Sequence, residues 1–135
     1  MFRNNKFEIH WESPPIFRLT VFEGVDLESE DIVEMANAFR ELAKGQKFAV
    51  LLDATKLFTV SSEAKVLIAS KEFSFDRLAA AFVTRSLANR LIGNFFIKFN
   101  KPPTPTKLFS EEEPAMEWLK ELVERDKKTS SSLLN

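Results

Sequence analysis

Phe48-Ala49-Val50-Leu51-Leu52 runs into Asp53 without a polar residue, and Leu78-Ala79-Ala80-Ala81-Phe82-Val83 repeats the form. Each run is too short for an independent helix and lacks the alternation of a strand with one wet face. Both therefore read as strands covered on two sides. Between them, from Ser61 to about Lys71, Ala64, Leu67 and Ile68 fall at helical spacing. Before them, Ile32, Met35, Ala36, Phe39, Leu42 and Ala43 occupy one stripe of about 120°. That stripe predicts an amphipathic helix of roughly 15 residues, ending at Gly45 as a C′ residue. Helices alternating with doubly buried strands imply crossover connections and a mostly parallel sheet.

Working outward, Phe7-Glu8-Ile9-His10-Trp11 alternates, and after Glu12-Ser13-Pro14-Pro15 the run Ile16 to Phe22 places Phe17, Leu19 and Val21 on one face. These are two strands with a Pro-stiffened turn and a second face turned to water. Downstream, Ser86 can cap a helix from Leu87 to about Phe99. Its Leu87, Ala88, Leu91, Ile92, Phe95, Phe96 and Phe99 spread over about 180°, wider than one sheet contact requires. Ile97 lies opposite that arc and is expected to be exposed. Gly93 inside this helix costs about 1 kcal/mol relative to Ala, which suggests a close backbone approach. Asn100-Lys101-Pro102-Pro103-Thr104-Pro105 stops the helix, and Thr106-Lys107-Leu108-Phe109 forms a short edge strand.

The last helix carries Ala115, Met116, Trp118, Leu119, Leu122 and Val123 on one stripe. Ser110-Glu111-Glu112-Glu113 spells a capping box, but Pro114 would then stand at the fourth helical position. A start two or three residues later is therefore expected. From Asp126 the chain has no period and is expected to be a disordered tail. The elements thus run ββαβαβαβα, an α/β arrangement with a mostly parallel five-stranded sheet, in a single domain over residues 1–125 with a tail over 126–135.

The whole chain has 135 residues, 44% hydrophobic and 29% charged, with 19 Lys+Arg against 20 Asp+Glu. The near-neutral balance argues against a nucleic-acid binder. Having no Cys and one His, it has no disulfide, no Cys-ligated zinc and no cysteine nucleophile. No apolar run reaches the length of about 18 residues that a span needs, so no stable membrane insertion is expected and the expected location is cytoplasmic. The 14 Phe and 2 Trp without Tyr supply apolar area with almost no hydroxyl chemistry.

Few residues offer chemistry. His10 shares a strand face with Glu8 and Glu12, yet a metal site would want a second His or a Cys, and the plainer reading is a solvated outer strand. Asp53 ends a buried strand where α/β crevices open, and more plainly caps its loop. Ser61 and Ser62 have no base in the same region to make them nucleophiles. Either can cap the following helix or be phosphorylated. Gly24, Gly45 and Gly93 are too far apart for a phosphate loop. Arg85, Arg90, Lys98 and Lys101 beside the third helix read as a solvated face. No catalytic residue, metal or cofactor is expected.

Element order and particular segments resemble the STAS domain (sulfate transporter and anti-sigma factor antagonist), also described as the SpoIIAA-like fold, whose core is similar to the lipid-carrying Sec14 domain. The carriers are Phe48 to Asp53, Thr59-Val60-Ser61-Ser62-Glu63-Ala64, and above all Arg90 to Pro102, with Lys107-Leu108-Phe109-Ser110, Ala115 and Trp118-Leu119. The resemblance implies helices largely on one face of the sheet and a non-catalytic regulatory module that docks another protein, such as an anti-sigma factor or a kinase-type regulator. In anti-sigma factor antagonists a serine, usually preceded by Asp, is phosphorylated at the start of the second helix. That place falls on Ser61 or Ser62, preceded here by Thr59 and Val60. Asp53, Thr59, Val60 and Glu63 are the implied docking loop, and Phe96, Ile97 and Phe99 a candidate interface that includes a homodimer. The competing expectation is a small carrier of apolar ligands or lipids of Sec14-like type, which would show as a Phe-lined cavity of about 300 Å³ or more.

Overall fold

A computed structural model describes the backbone of residues 1–134 and the side chains of residues 1–130. The strands are β1 (Phe2–Arg3), β2 (Phe7–Ser13), β3 (Ile16–Val21), β4 (Asp26–Leu27), β5 (Phe48–Asp53), β6 (Thr59–Val60), β7 (Arg77–Val83) and β8 (Thr106–Phe109). The helices are α1 (Ser29–Ala43), α2 (Ser62–Ile68), α3 (Leu87–Phe95) and α4 (Glu112–Leu134), and a π-helical turn over Phe96–Asn100 extends α3. The main sheet has six strands in the order β1-β2-β3-β5-β7-β8. β1, β2 and β3 pair antiparallel, while β3, β5, β7 and β8 are parallel.

The mostly parallel α/β sheet is the expected one, with six strands rather than five. The additions are short: β1 extends the antiparallel edge, and β4 and β6 form a separate two-stranded parallel ribbon. Two-residue strands carry no period, so the sequence pattern has nothing to show for them.

Alternation along β5 divides its side chains between two cores. Phe48 and Val50 pack with Phe17, Leu19 and Val21 of β3 against Ile32, Met35, Ala38 and Phe39 of α1 and Ala64 of α2. Ala49 and Leu51 face the other way, joining Ile16, Ala79, Ala81 and Val83 against Ala115, Leu119 and Val123 of α4. Three helices therefore cover one face and α4 covers the other. The alanines of β5 and β7 leave room for α4 to approach, and Ala49, Leu51, Ala79, Ala81, Ala115 and Leu119 are fully excluded from solvent. Burying Leu51 and Leu119 this way contributes about 1.5–3 kcal/mol each.

Helix ends follow local chemistry. α1 begins with a reciprocal box in which Asp31 accepts from the Glu28 backbone N–H at 2.8 Å. It ends on left-handed Lys44 (φ 51) and Gly45 (φ 83), of which glycine takes that conformation without strain. α4 starts at Glu112, which places Pro114 in the first turn, where no intrahelical N–H is needed. It continues through Leu134. The expected disordered tail is thus corrected over residues 126–134, where the chain is helical; among the described side chains of α4, Val123 is the last buried one. Residue 135 lies outside the described residues.

On the α4 face, Arg18 gathers three carboxylates. Its Nε donates to Glu12 at 2.8 Å, Nη1 to Asp53 at 3.3 Å, and Nη2 contacts Glu112 at the start of α4. One guanidinium thus joins β2, β3, β5 and α4. Hydrogen bonding from Arg18 outweighs burial and holds the Glu12 carboxyl below its usual range. Burial alone would raise Asp31, but Lys6 at 2.7 Å and the Glu28 N–H bring it below its ordinary value.

Both carboxyls have folded pKa values below their unfolded ones, so their stabilisation is present above the unfolded values and is lost as pH falls through the folded ones. Denaturant titrations are expected to show stability falling as pH drops below about 4.5. Glu12→Gln and Asp31→Asn should each lower stability at pH 7 and reduce the slope of that acid limb.

Candidate functional site

The C-terminal ends of β5 and β7, the segment 54–62 and the start of α3 converge at one edge of the parallel sheet. Asn89, which the sequence analysis does not single out, is 7% exposed and ties this region together. Its amide donates to the Ala54 carbonyl at 2.9 Å and the Lys56 carbonyl at 2.8 Å. The loop after β5 is therefore clamped to α3. The signal that could have found it is that an Asn one turn inside a helix, three residues after its Ser86 cap, faces the sheet rather than water.

Asp53 accepts from the Thr55 backbone at 3.1 Å and the Thr55 hydroxyl at 2.6 Å, an Asx turn, and also binds Arg18. Thr59 is exposed and bonds Asp26, whereas Val60 turns inward and packs on the core. Alternation along β6, paired to β4, turns Val60 partly inward and Thr59 outward. Ser61 Oγ accepts from the Ala64 N–H at 3.1 Å and caps α2. Ser62 and Glu63 are exposed in its first turn. His10 is half-buried with Nδ1 3.1 Å from the Trp11 carbonyl oxygen. Among the described residues no group of three or more His, Asp or Glu side chains is placed to hold a metal.

The third helix presents a different face from the expected one. Leu87, Leu91, Phe95 and Phe99 are 72%, 61%, 52% and 60% exposed and recur every four residues. Phe95 and Phe99 touch, with ring centroids 4.4 Å apart. Phe96, expected at an interface, is instead in the core at 6% exposure, 6.1 Å from the Phe82 ring. Ile97 is half-buried, not exposed, and of the three candidate interface residues only Phe99 is exposed. The π-helical turn over Phe96–Asn100 is the reason: its longer period holds Phe99 in line with Phe95 and turns Ile97 partly inward. Gly93 does mark a close approach, since a Cβ there would lie 2.9 Å from Leu108 Cδ2.

Cations surround the stripe. From Arg77 to Ser110 the chain carries Arg77, Arg85, Arg90, Lys98, Lys101 and Lys107 and no Asp or Glu. Lys65 of α2 lies over the Phe95 ring at 5.7 Å and Lys98 over Phe99 at 5.5 Å. Arg85 alone of the flanking cations is paired by a described carboxylate, that of Glu111. No helix among the described residues is long and apolar enough to cross a membrane.

A family model described as "Domain of unknown function (DUF7793)" matches residues 10–123. The chain belongs to this family. The match runs from within β2 to Val123 of α4, so the parallel strands, Asn89 and the α3 stripe all lie inside the DUF7793 domain. No curated protein matches the sequence. Among solved structures, the chain is similar to an uncharacterised protein of the DUF3478 family with a SpoIIAA-like fold from Shewanella loihica PV-4. Identity is 18%, over 88% of this chain and 98% of that one, with a TM-score of 0.61. The phosphorylated form of the Bacillus cell fate determinant SpoIIAA also matches, at 15% identity over 82% of this chain and 96% of that one, with a TM-score of 0.49. The DUF7793 chain thus has the SpoIIAA-like fold.

Asn89→Ala leaves two loop carbonyls without their donor and is expected to cost about 1–3 kcal/mol in chemical denaturation. Ser61→Ala should cost about 1 kcal/mol through the lost cap. Ser62→Ala should stay within about 0.5 kcal/mol of wild type.

Proposed function

We propose that this domain is a non-catalytic regulatory module that docks another protein through the outer face of α3. The observation that carries the reading is the stripe Leu87, Leu91, Phe95 and Phe99, four large apolar side chains left in water on one helix. Exposed apolar side chains scattered singly need no explanation, but a contiguous row of them favours an interface. The flanking charge selects the partner's chemistry. Arg90, Lys98 and Lys101 are exposed on a segment without acids, so the complementary surface is an amphipathic segment whose apolar row is bordered by Asp and Glu. A second copy of this chain fits less well, because two α3 faces would bring these cations together. Ser62, exposed beside Ser61, is the hydroxyl available for modification, because Ser61 Oγ is occupied by the α2 cap.

A photo-crosslinking side chain at position 91 in native cells tests the reading. The expected product is a covalent adduct with an acidic amphipathic segment of a second protein. Leu87→Glu should reduce that adduct by at least about tenfold, because an unpaired charge is costly in a dry interface. It should leave the melting temperature almost unchanged, since Leu87 is exposed. Adducts only with the chain itself, or co-sedimentation with phosphatidylglycerol vesicles in place of a protein adduct, would overturn it.

A further inference from the structure

The layer between the main sheet and α1, α2 and α3 holds a half-open apolar cavity of about 120 Å³, below the 300 Å³ or so that a lipid carrier would need. The charged chemistry of this side lies on its outer surface, where α2 and the π-helical turn meet. Phe95 and Phe99 touch there, with ring centroids 4.4 Å apart. Two ammonium groups reach this pair from different elements. Lys65 of α2 lies 5.7 Å from the Phe95 centroid, and Lys98 of the turn lies 5.5 Å from that of Phe99.

No described carboxylate lies within ion-pair distance of Lys65 or Lys98. Glu63, the acid nearest to Lys65 along α2, is two residues away and so about 200° round the helix. In the free domain water solvates both cations, since Lys98 is exposed and Lys65 half-buried. A partner that covers Phe95 and Phe99 removes that water too, because the ammonium groups sit beside the very rings it must cover. A wholly apolar partner would therefore strand two unpaired cations inside the contact, which is costly.

We propose that the docking face is centred on Phe95 and Phe99 and selects its partner through Lys65 and Lys98. The segment that docks is a helix that lays a large aliphatic side chain on the two rings, with one carboxylate for each ammonium. A Leu with an Asp or Glu three or four residues before and after it meets that requirement, because such positions share one helix face. The inference rests on the docking reading and adds to it the residues that carry selectivity. Lys65 brings α2 into the face, and both cations act at its centre, where loss of a charge partner speeds dissociation, rather than at a rim, where it alters association.

Fluorescence anisotropy with two synthetic helical peptides of about 18 residues tests this. Both carry the same row of Leu, bordered by Glu in one and by Gln in the other. Wild type is expected to bind the Glu peptide saturably, at least about tenfold more tightly than the Gln peptide. Lys65→Gln and Lys98→Gln should each weaken the Glu peptide by at least about fivefold, through faster dissociation, and leave the Gln peptide within about twofold. Lys120→Gln removes the same charge from the exposed side of α4, across the sheet, and should change neither peptide by more than about twofold. Lys65→Arg keeps the cation and should bind as wild type does. Lys98 is exposed, so its variant decides the matter if Lys65→Gln does not fold. The inference is overturned by equal affinity for the two peptides, by Lys120→Gln weakening the Glu peptide as much as Lys65→Gln and Lys98→Gln do, or by no saturable binding up to about 1 mM. Equal affinities that Leu87→Glu abolishes would overturn this inference and leave the docking reading standing, whereas the adduct at position 91 tests that reading separately.

Discussion

The parallel pair β5–β7, gripped between two unlike layers, is the constraint on which the rest of the molecule depends. Its alternating side chains serve two cores at once, so neither layer can shift without disturbing the other. On the α4 side the contact is dry and close, because Ala49, Ala79 and Ala81 present small side chains to Ala115 and Leu119. On the other side β5 and its neighbour β3 meet α1 firmly, through Phe48, Phe17 and Phe39 with ring centroids 5.2–5.3 Å apart. Toward α2 and α3 the filling gives out and the cavity begins. The stable and the adaptable parts of the domain are thus two faces of one sheet.

Arg18 keeps α4 on its face. Its side chain is 16% exposed and is shared by Glu12, Asp53 and Glu112. Such a cluster stabilises little relative to a well-packed apolar alternative, but removing the cation alone would leave three carboxylates facing one another. What it contributes is placement: the first turn of α4, the end of β5 and the antiparallel edge are held in one register. Asp53 also organises the loop after β5, and through Asn89 that loop is tied to α3, whose outer stripe is the docking face.

Most of this was legible in sequence where a period is long enough to repeat. The two apolar strands, the α1 stripe and the Gly93 contact are consequences of side-chain spacing that a reader can count. The short strands β1, β4 and β6 are not, because their pairing is set by what lies beside them. The outward face of α3 differs from the expected one for a similar reason. A constant 100° per residue puts Ile97 in water, whereas the π-helical turn changes the phase after Phe95 and leaves Phe99 exposed instead. Asn89 is not legible as a site residue, because its role depends on two carbonyls more than thirty residues away.

An unequal sheet has an unequal response to thermal opening. Among the described residues α2 buries only Ala64, and α3 buries only Asn89 and Gly93 before its π-helical turn, whereas α4 buries Ala115, Leu119 and Val123. Few buried apolar contacts mean low local opening free energy. Native-state hydrogen exchange across a denaturant series measures this directly. Amides of residues 62–68 and 87–95 should exchange through sub-global opening, well before those of β5, β7 and the α4 segment 116–123, which should exchange only with global unfolding. Protection of α2 and α3 to the global limit, equal to that of α4, would contradict the account of a sheet packed firmly on one side and left adaptable on the other.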